Sequence, residues 1–337
     1  MNTARFKVIF AGPLVSFQDA GRIGHLRFGV SASGPMDRFS HAAANVMLGN
    51  AATNTSIEVS LGGIILECIS GETTLALAGG CFSLKCADHA SKGWVARTVR
   101  HGEKIAIRAG AWGSWAYLAF AGRLVVNEWL GATATHSMSG FGGGSLIAGS
   151  EFEVIEAEVR DNRVGDYPCP NIACPSQDVR VVVGPQDQHF ERLSVNTFCT
   201  QPFQITDAFD RMGVRLKGPK LVLKNALSIP SEPIVRGSVQ VSGDGVPTVL
   251  LADHQTTGGY PKIATVVSGD VDRMVQFRAG EAIQFRALTA QKAIEAVREY
   301  HTLKKDALAQ IIAPRATLAE KLQNLNLIDG VVSADPS

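Results

Sequence analysis

Residues 56–80 read SIEVSLGGIILECISGETTLALAGG, and the fold class turns on them. Side chains alternate in character within SIEVS (56–60) and IILEC (64–68), and large with small in TTLALA (73–78), with only LGG and ISGE between the runs. A period of two puts alternate side chains on one face of an extended strand. Parallel neighbours need a crossover of about a dozen residues, so connections this short predict antiparallel pairing. Similar runs follow at EKIAIRAG (103–110), WAYLAFAG (115–122), FEVIE (152–156), VRVVVGP (179–185), FQITD (203–207), SVQVSG (238–243), TVLLAD (248–253), MVQFRAG (274–280) and AIQFRA (282–287). Each is bounded by Gly, Pro, Asp or Ser, and the 34 glycines suit tight turns and bulges. The pattern predicts antiparallel sheets arranged as sandwiches or barrels, not a doubly wound parallel sheet.

Two passages have helical spacing instead. In SASGPMDRFSHAAANVMLGN (31–50), Ser33 or Gly34 can cap, Pro35 suits the first turn, and Met36, Phe39, Ala43 and Val46–Met47 form an apolar face. From about Thr289 to Ile312, ahead of Pro314, Ile294, Val297, Leu308 and Ile311 share one side. A short third helix is expected to hold Leu318, Leu322 and Leu325. Residues 159–178, VRDNRVGDYPCPNIACPSQD, carry three prolines and little periodicity, as a linker does. The predicted units are a β domain over 1–160 with one capped helix, a second β domain over 178–290, and a helical tail over 291–337. GEKIAIRA (102–109) echoes GEAIQFRA (280–287), and FKVIFAGP (6–13) echoes VRVVVGP, which suggests a duplicated unit.

A chain of 337 residues that is 45% apolar and 19% charged reads as globular. Its 32 basic and 31 acidic residues, without a basic block, argue against nucleic acid and acidic membranes as partners. No signal-peptide pattern or apolar run of about 20 residues is visible, so a cytoplasmic location is expected. The six cysteines form no CxxC pair and no HExxH is present, so no metal site is expected. No GxSxG elbow, P-loop or dinucleotide fingerprint occurs.

Three polar stretches remain as candidates. SFQDAGRIGHLRFGVSASGPMD (16–37) places Gln18, Asp19 and Arg22 upstream of a helix entry at Ser33–Gly34, an arrangement suited to anions. ITDAFDRMGVRLKGP (205–219) gathers Asp210 and Arg211, which as neighbours ordinarily pair locally or with water. LLADHQTTGGYPKIA (250–264) follows a strand with Asp253, His254, Thr256, Thr257, Tyr260 and Lys262 around Gly258 and Gly259. Here the glycines permit positive φ and close approach of a ligand, while Lys262 can bind an anionic oxygen and Asp253 a proton or cation.

These stretches, with AANVMLGN (43–50), GPQDQHF (184–190), GSVQVSGDGVP (237–247) and NLIDGVV (326–332), resemble the allophanate hydrolase subunit 2 family, which includes the 5-oxoprolinase C subunit and the matching region of urea carboxylase. The motifs run in order along nearly the whole chain. The resemblance implies a mainly β fold of two barrel-like, cyclophilin-like domains. It implies a component of an ATP-dependent 5-oxoprolinase acting on a small amide or lactam. ATP and Mg²⁺ would be shared with a homologous B subunit, and an A subunit would complete ring opening to glutamate. On that reading Asp253, Lys262 and Arg22 are the catalytic candidates. Gln18, Asp19, Ser33, Gly34, Asp210, Arg211, Gln240, His254, Thr256, Thr257, Gly258, Gly259 and Tyr260 bind substrate or anion. Two alternatives are a carboxyltransferase using biotin carried by another protein, and a non-catalytic antagonist of a kinase inhibitor. The chain departs from the family at GATATHS (131–137) and SGFGGGS (139–145), each lacking an arginine common among members.

Overall fold

The computed structural model describes residues 2–87, 89–224 and 229–313. The expected third helix at Leu318–Leu325 lies outside them. A seven-stranded antiparallel sheet runs in the order Arg123–Leu124, Glu151–Ile155, Thr3–Ala11, Ile64–Ser70, Lys104–Ala109, Phe82–Cys86, His89–Lys92. A six-stranded sheet runs Gly165–Asp166, Val95–Arg100, Glu72–Ala78, Trp115–Phe120, Ser56–Ser60, Ser16–Gln18. One core lies between them, built from alternating positions such as Phe6 and Val8, Ile64 and Leu66, Leu75 and Leu77, and Leu118 and Phe120.

The second half closes into a barrel: Asp178–Val183, Lys262–Val266, Ser238–Val241, Pro247–Leu250, Gly213–Lys217, Pro202–Phe209 and Ala282–Leu288, the last returning parallel to the first. The fold is therefore mainly β, with one unit a pair of facing sheets and the other a closed barrel. The echoed segments occupy unlike places. Asp178–Val183 and Ala282–Leu288 are neighbours in the barrel, whereas Ile64–Ser70 separates Thr3–Ala11 from Lys104–Ala109.

Every residue of Trp115–Phe120 is buried because the six-stranded sheet is covered on both faces. Its second face, with Ala76, Ala78, Ala96, Trp115 and Tyr117, packs against helix α1 (Arg38–Met47) in a cluster continuous with the barrel interior. α1 begins later than expected. Asp37, not Ser33 or Gly34, is the cap, accepting hydrogen bonds from Phe39 N and Ser40 N. Helix α2 (Arg192–Thr200) and helix α3 (Ser268–Met274) were not anticipated, and MVQFRAG, read as a strand, instead spans the end of α3 and the turn after it. Helix α4 (Ala290–Ile312) has the expected bounds, capped by Thr289. It buries Ala293, Ala296, Tyr300 and Ile311, while Ile294 is 47% exposed. No helix among the described residues is long and apolar enough to cross a membrane.

Polar side chains tie α1 to the barrel. Asp272 on α3 accepts from Arg38 at 2.8 Å, Arg236 at 3.3 Å and the Tyr300 hydroxyl of α4 at 3.1 Å. Gln276 donates to Asp37 at 2.8 Å and accepts from Ser114 N and Trp115 N. Burial, with Asp272 nearby, pushes the Asp37 carboxyl up to about 6. A carboxyl raised in the folded state favours folding most at low pH, and that contribution is lost as pH rises through the folded value. Asp37→Asn is expected to keep the cap and lower stability somewhat by setting an amide against Gln276. It should also abolish the decline of stability between about pH 4 and pH 6, a slope worth about 2–3 kcal/mol. Denaturant unfolding across that range checks it; an unchanged slope would assign the titration elsewhere.

Candidate functional site

The barrel and the six-stranded sheet meet around a fully buried ion-pair core. Arg211 lies in the tight turn between Pro202–Phe209 and Gly213–Lys217. Its Nε and Nη2 donate to the two oxygens of Asp253 at 2.9 and 3.0 Å, Nη2 also donates to Gly34 O at 2.7 Å, and Nη1 donates to Glu58. Glu58 accepts in addition from Met36 N at 2.8 Å and the Tyr117 hydroxyl at 2.7 Å, and the Tyr117 oxygen accepts from Asp37 N. Asp253 accepts from Ser137 N at 2.9 Å. Burial works against each charge, but Asp253 and Glu58 together raise the Arg211 guanidinium above its usual range. Burial likewise opposes the Asp253 charge, and Arg211 and Ser137 outweigh it, holding that carboxyl at about 2.

This geometry corrects three expectations. Asp253 has both oxygens engaged by Arg211 and Ser137 and stays ionised near neutrality, so the geometry gives it a structural ion-pair place and no free proton to transfer. Arg211 is a buried linchpin, not a locally solvated arginine. The amides near Ser33–Gly34 are not helix-entry donors, because α1 starts at Arg38, Met36 N serves Glu58, and Asp37 N serves Tyr117.

Around this core the first loop folds back on itself, with Arg22 N donating to Ala32 O at 2.8 Å. Asp19 organises the turn by accepting from Gly21 N and Thr133 N at 2.8 and 2.7 Å. Arg22 is buried with its guanidinium 4.7 Å from the Trp129 ring centroid, donating to the carbonyls of Trp129 and Ala134. Burial lowers its pKa, with Asp19 and Asp253 pulling the other way. Gln18 stands opposite Ser56 across the strand pair and donates to Ser16 Oγ and Thr135 O.

The second group centres on Lys262. Lys262 and Gln240 are register partners across an antiparallel pair, so their side chains leave on the same face. Both are buried. The Lys262 Nζ makes no hydrogen bond, and the half-exposed Glu232 carboxylate is 3.6 Å away. Gln240 Nε2 is also unpartnered, while its oxygen accepts from Gln255 at 3.2 Å. Gln186 holds the lysine backbone, its oxygen accepting from Lys262 N at 2.9 Å, and donates to Glu232. A Cβ on Gly258 would come 2.4 Å from Gln240 Nε2 and Ile234 Cδ1, so any side chain there would push the Gln240 amide from its place; neither Gly258 nor Gly259 has the anticipated positive φ. His254 donates to Gln255 O at 2.6 Å, and burial lowers its pKa. Thr256 and Thr257 serve the backbone ribbon with 232–234, and Tyr260 is 47% exposed. A groove of about 620 Å³ leads to Gln240 between Phe209, Asp210, Met212, Gln255 and Tyr260. There the Asp210 carboxylate caps its own turn, accepting from Met212 N and Gly213 N.

Ten buried side-chain polar atoms lack a hydrogen-bond partner among the described residues, and seven belong to these groups: those of Gln18, Arg22, Ser31, Ser33, Ser56, Gln240 and Lys262. Native structures satisfy nearly all such atoms, with protein or water, so their concentration here makes these two groups the candidate site. Sequence reasoning missed Glu58, Gln186 and Glu232. Glu58 had a signal, a charge inside the apolar alternation of SIEVS, and Gln186 lay within the quoted GPQDQHF; Glu232 had none.

The sequence profile described as carboxyltransferase domain, subdomains A and B, matches residues 28–287. The chain belongs to this carboxyltransferase-domain family. Its relatives include the 5-oxoprolinase C subunit of Haemophilus influenzae, 33% identical over 301 residues covering 88% of this chain and 95% of that protein. The Escherichia coli protein of the same name is 30% identical over 86% of this chain and 93% of its own length. Among solved structures, Kluyveromyces lactis urea amidolyase matches with a TM-score of 0.79 at 25% identity, covering 91% of this carboxyltransferase-family chain. The matched part is 20% of that much longer protein.

Proposed function

We propose that the chain is the C-type component of an ATP-dependent 5-oxoprolinase, acting with a homologous B subunit on a small lactam and with an A subunit that completes ring opening. The adjacent unpartnered donors of Lys262 and Gln240 carry this reading. An ammonium and a carboxamide NH₂ on one face are suited to hold an amide oxygen as negative charge develops on it, where fixed donors in a water-poor site act most strongly. Near-full-length similarity to two proteins named as the C subunit of 5-oxoprolinase supports the same substrate class.

Phosphorylating a lactam oxygen turns an unreactive amide into a better electrophile. The donors of Lys262 and Arg22 suit phosphate or carboxylate oxygens. ATP and Mg²⁺ are taken as shared with the homologous partner. Lys262 and Gln240 then orient and polarise the lactam, Gln186 and Gly258 fix their positions, and the Arg211 core holds the two halves in register.

A second reading, carboxyl transfer from protein-borne biotin to a urea-like amide, is favoured by the family's carboxyltransferase description and the urea amidolyase likeness. The two separate by reconstitution. With the B and A subunits added, 5-oxoproline is expected to stimulate ATP hydrolysis with release of glutamate. Absence of stimulation, with carboxylation of urea from a carboxybiotin carrier, would replace the first reading by the second.

A further inference from the structure

We propose that Cys169 and Cys174 form an oxidation site for hydroperoxides, closing an intramolecular disulfide across the Pro170–Ala173 turn. The two thiols flank one atom: Cys169 Sγ lies 3.8 Å and Cys174 Sγ 4.0 Å from the Pro170 carbonyl oxygen. The turn is tight, with Ala173 N donating to Pro170 O and Cys174 N to Asn171 O. Both residues are half-buried, so neither thiol is sealed from a small oxidant, and the turn between them, Pro170, Asn171 and Ile172, borders a cleft of about 470 Å³ against α4. Arg273 donates to Cys174 O at 2.9 Å, bringing a positive charge to that side of the pair.

Cys174 is the thiol that reacts first. Burial, and after it the charge of the neighbouring Cys174 sulfur, push Cys169 up to about 12, keeping it protonated. The Cys174 sulfur attacks one peroxide oxygen, the O–O bond breaks, and Cys174 becomes a sulfenic acid with release of water. The Cys169 sulfur then displaces the sulfenic oxygen, which leaves as a second water after taking the Cys169 proton. In balance, two thiols and one hydrogen peroxide give one disulfide and two waters. The product fastens the segment joining the paired sheets to the barrel.

One tryptic peptide, residues 164–180, holds both cysteines and no internal Lys or Arg. The full chain is treated with a stoichiometric amount of hydrogen peroxide, alkylated in denaturant, and digested. The peptide is expected to lose two hydrogens and take no alkyl group before any other cysteine peptide oxidises, and dithiothreitol should restore both alkylations. In Cys169→Ser, dimedone should label Cys174; in Cys174→Ser, Cys169 should remain alkylatable. Double alkylation of the peroxide-treated peptide, or its cross-linking to a peptide that carries another cysteine, would overturn the assignment.

Discussion

Replacing Arg211 by methionine is expected to cost about 3–5 kcal/mol of stability, the largest effect of any single change in this molecule. The guanidinium offsets two carboxylates that are themselves fully buried, Glu58 and Asp253. Removing it strands both charges without water or counter-charge. Its size matters less than its charge, since methionine fills much of the same volume. A companion variant carrying Arg211→Met with Glu58→Gln and Asp253→Asn should recover a large part of the loss, because neutral amides leave no stranded charge. The pH dependence separates this account from simple packing damage. In the native protein Asp253, held at about 2, contributes stability above the ordinary carboxylate range that is lost as pH falls through that value. In Arg211→Met the sign reverses: protonation relieves the stranded pair, so the variant gains more on acidification than the native protein does. Denaturant midpoints across pH measure both. A loss below about 1 kcal/mol would show that the pair is hydrated and the core is not what joins the halves.

Lys262→Met is the counterpart, with its effect on activity. In the reconstituted 5-oxoprolinase assay, turnover is expected to fall by about 10²-fold or more, the usual cost of removing one oxyanion donor. Stability should hold or rise. The Lys262 Nζ makes no hydrogen bond, its neighbour Glu232 is half-exposed and can be solvated, and a buried ammonium is costly to desolvate. A destabilised protein would mean that the lysine is structural. Full turnover would remove it from the site.

Much of the fold was legible because strands announce themselves by alternation and turns by glycine, and the bounds of α4 were legible because Thr289 caps it. The misreadings have physical causes. WAYLAF and TTLALA are apolar on both faces, so period alone could not show that the six-stranded sheet is covered twice. The α1 start was shifted because Asp37 spends its side chain on the cap, and an aspartate three residues on looks the same in sequence as one facing water. Tyr300 turned the buried stripe of α4 away from Ile294, since its hydroxyl reaches Asp272. The loop at Lys262 stood out in the sequence because its polar side chains crowd one turn. Within it, however, Asp253 and Lys262 looked alike in promise, and only the distant Arg211, 42 residues before Asp253, separates a spent carboxylate from an unspent ammonium.

Glu58 also sets an order in time. It is made 153 residues before Arg211, the cation that neutralises it. At about 5–20 residues per second, the ribosome leaves that carboxylate without its counter-charge for roughly 8–30 seconds. During that interval the paired sheets can gather their apolar faces, but sealing the far side of Ser56–Ser60 would bury a bare charge. The second face must therefore stay wet, and α1 loosely held, until the barrel arrives. The first half of the chain is thus born unfinished, and the last step of its folding belongs to residues that do not yet exist when it leaves the tunnel.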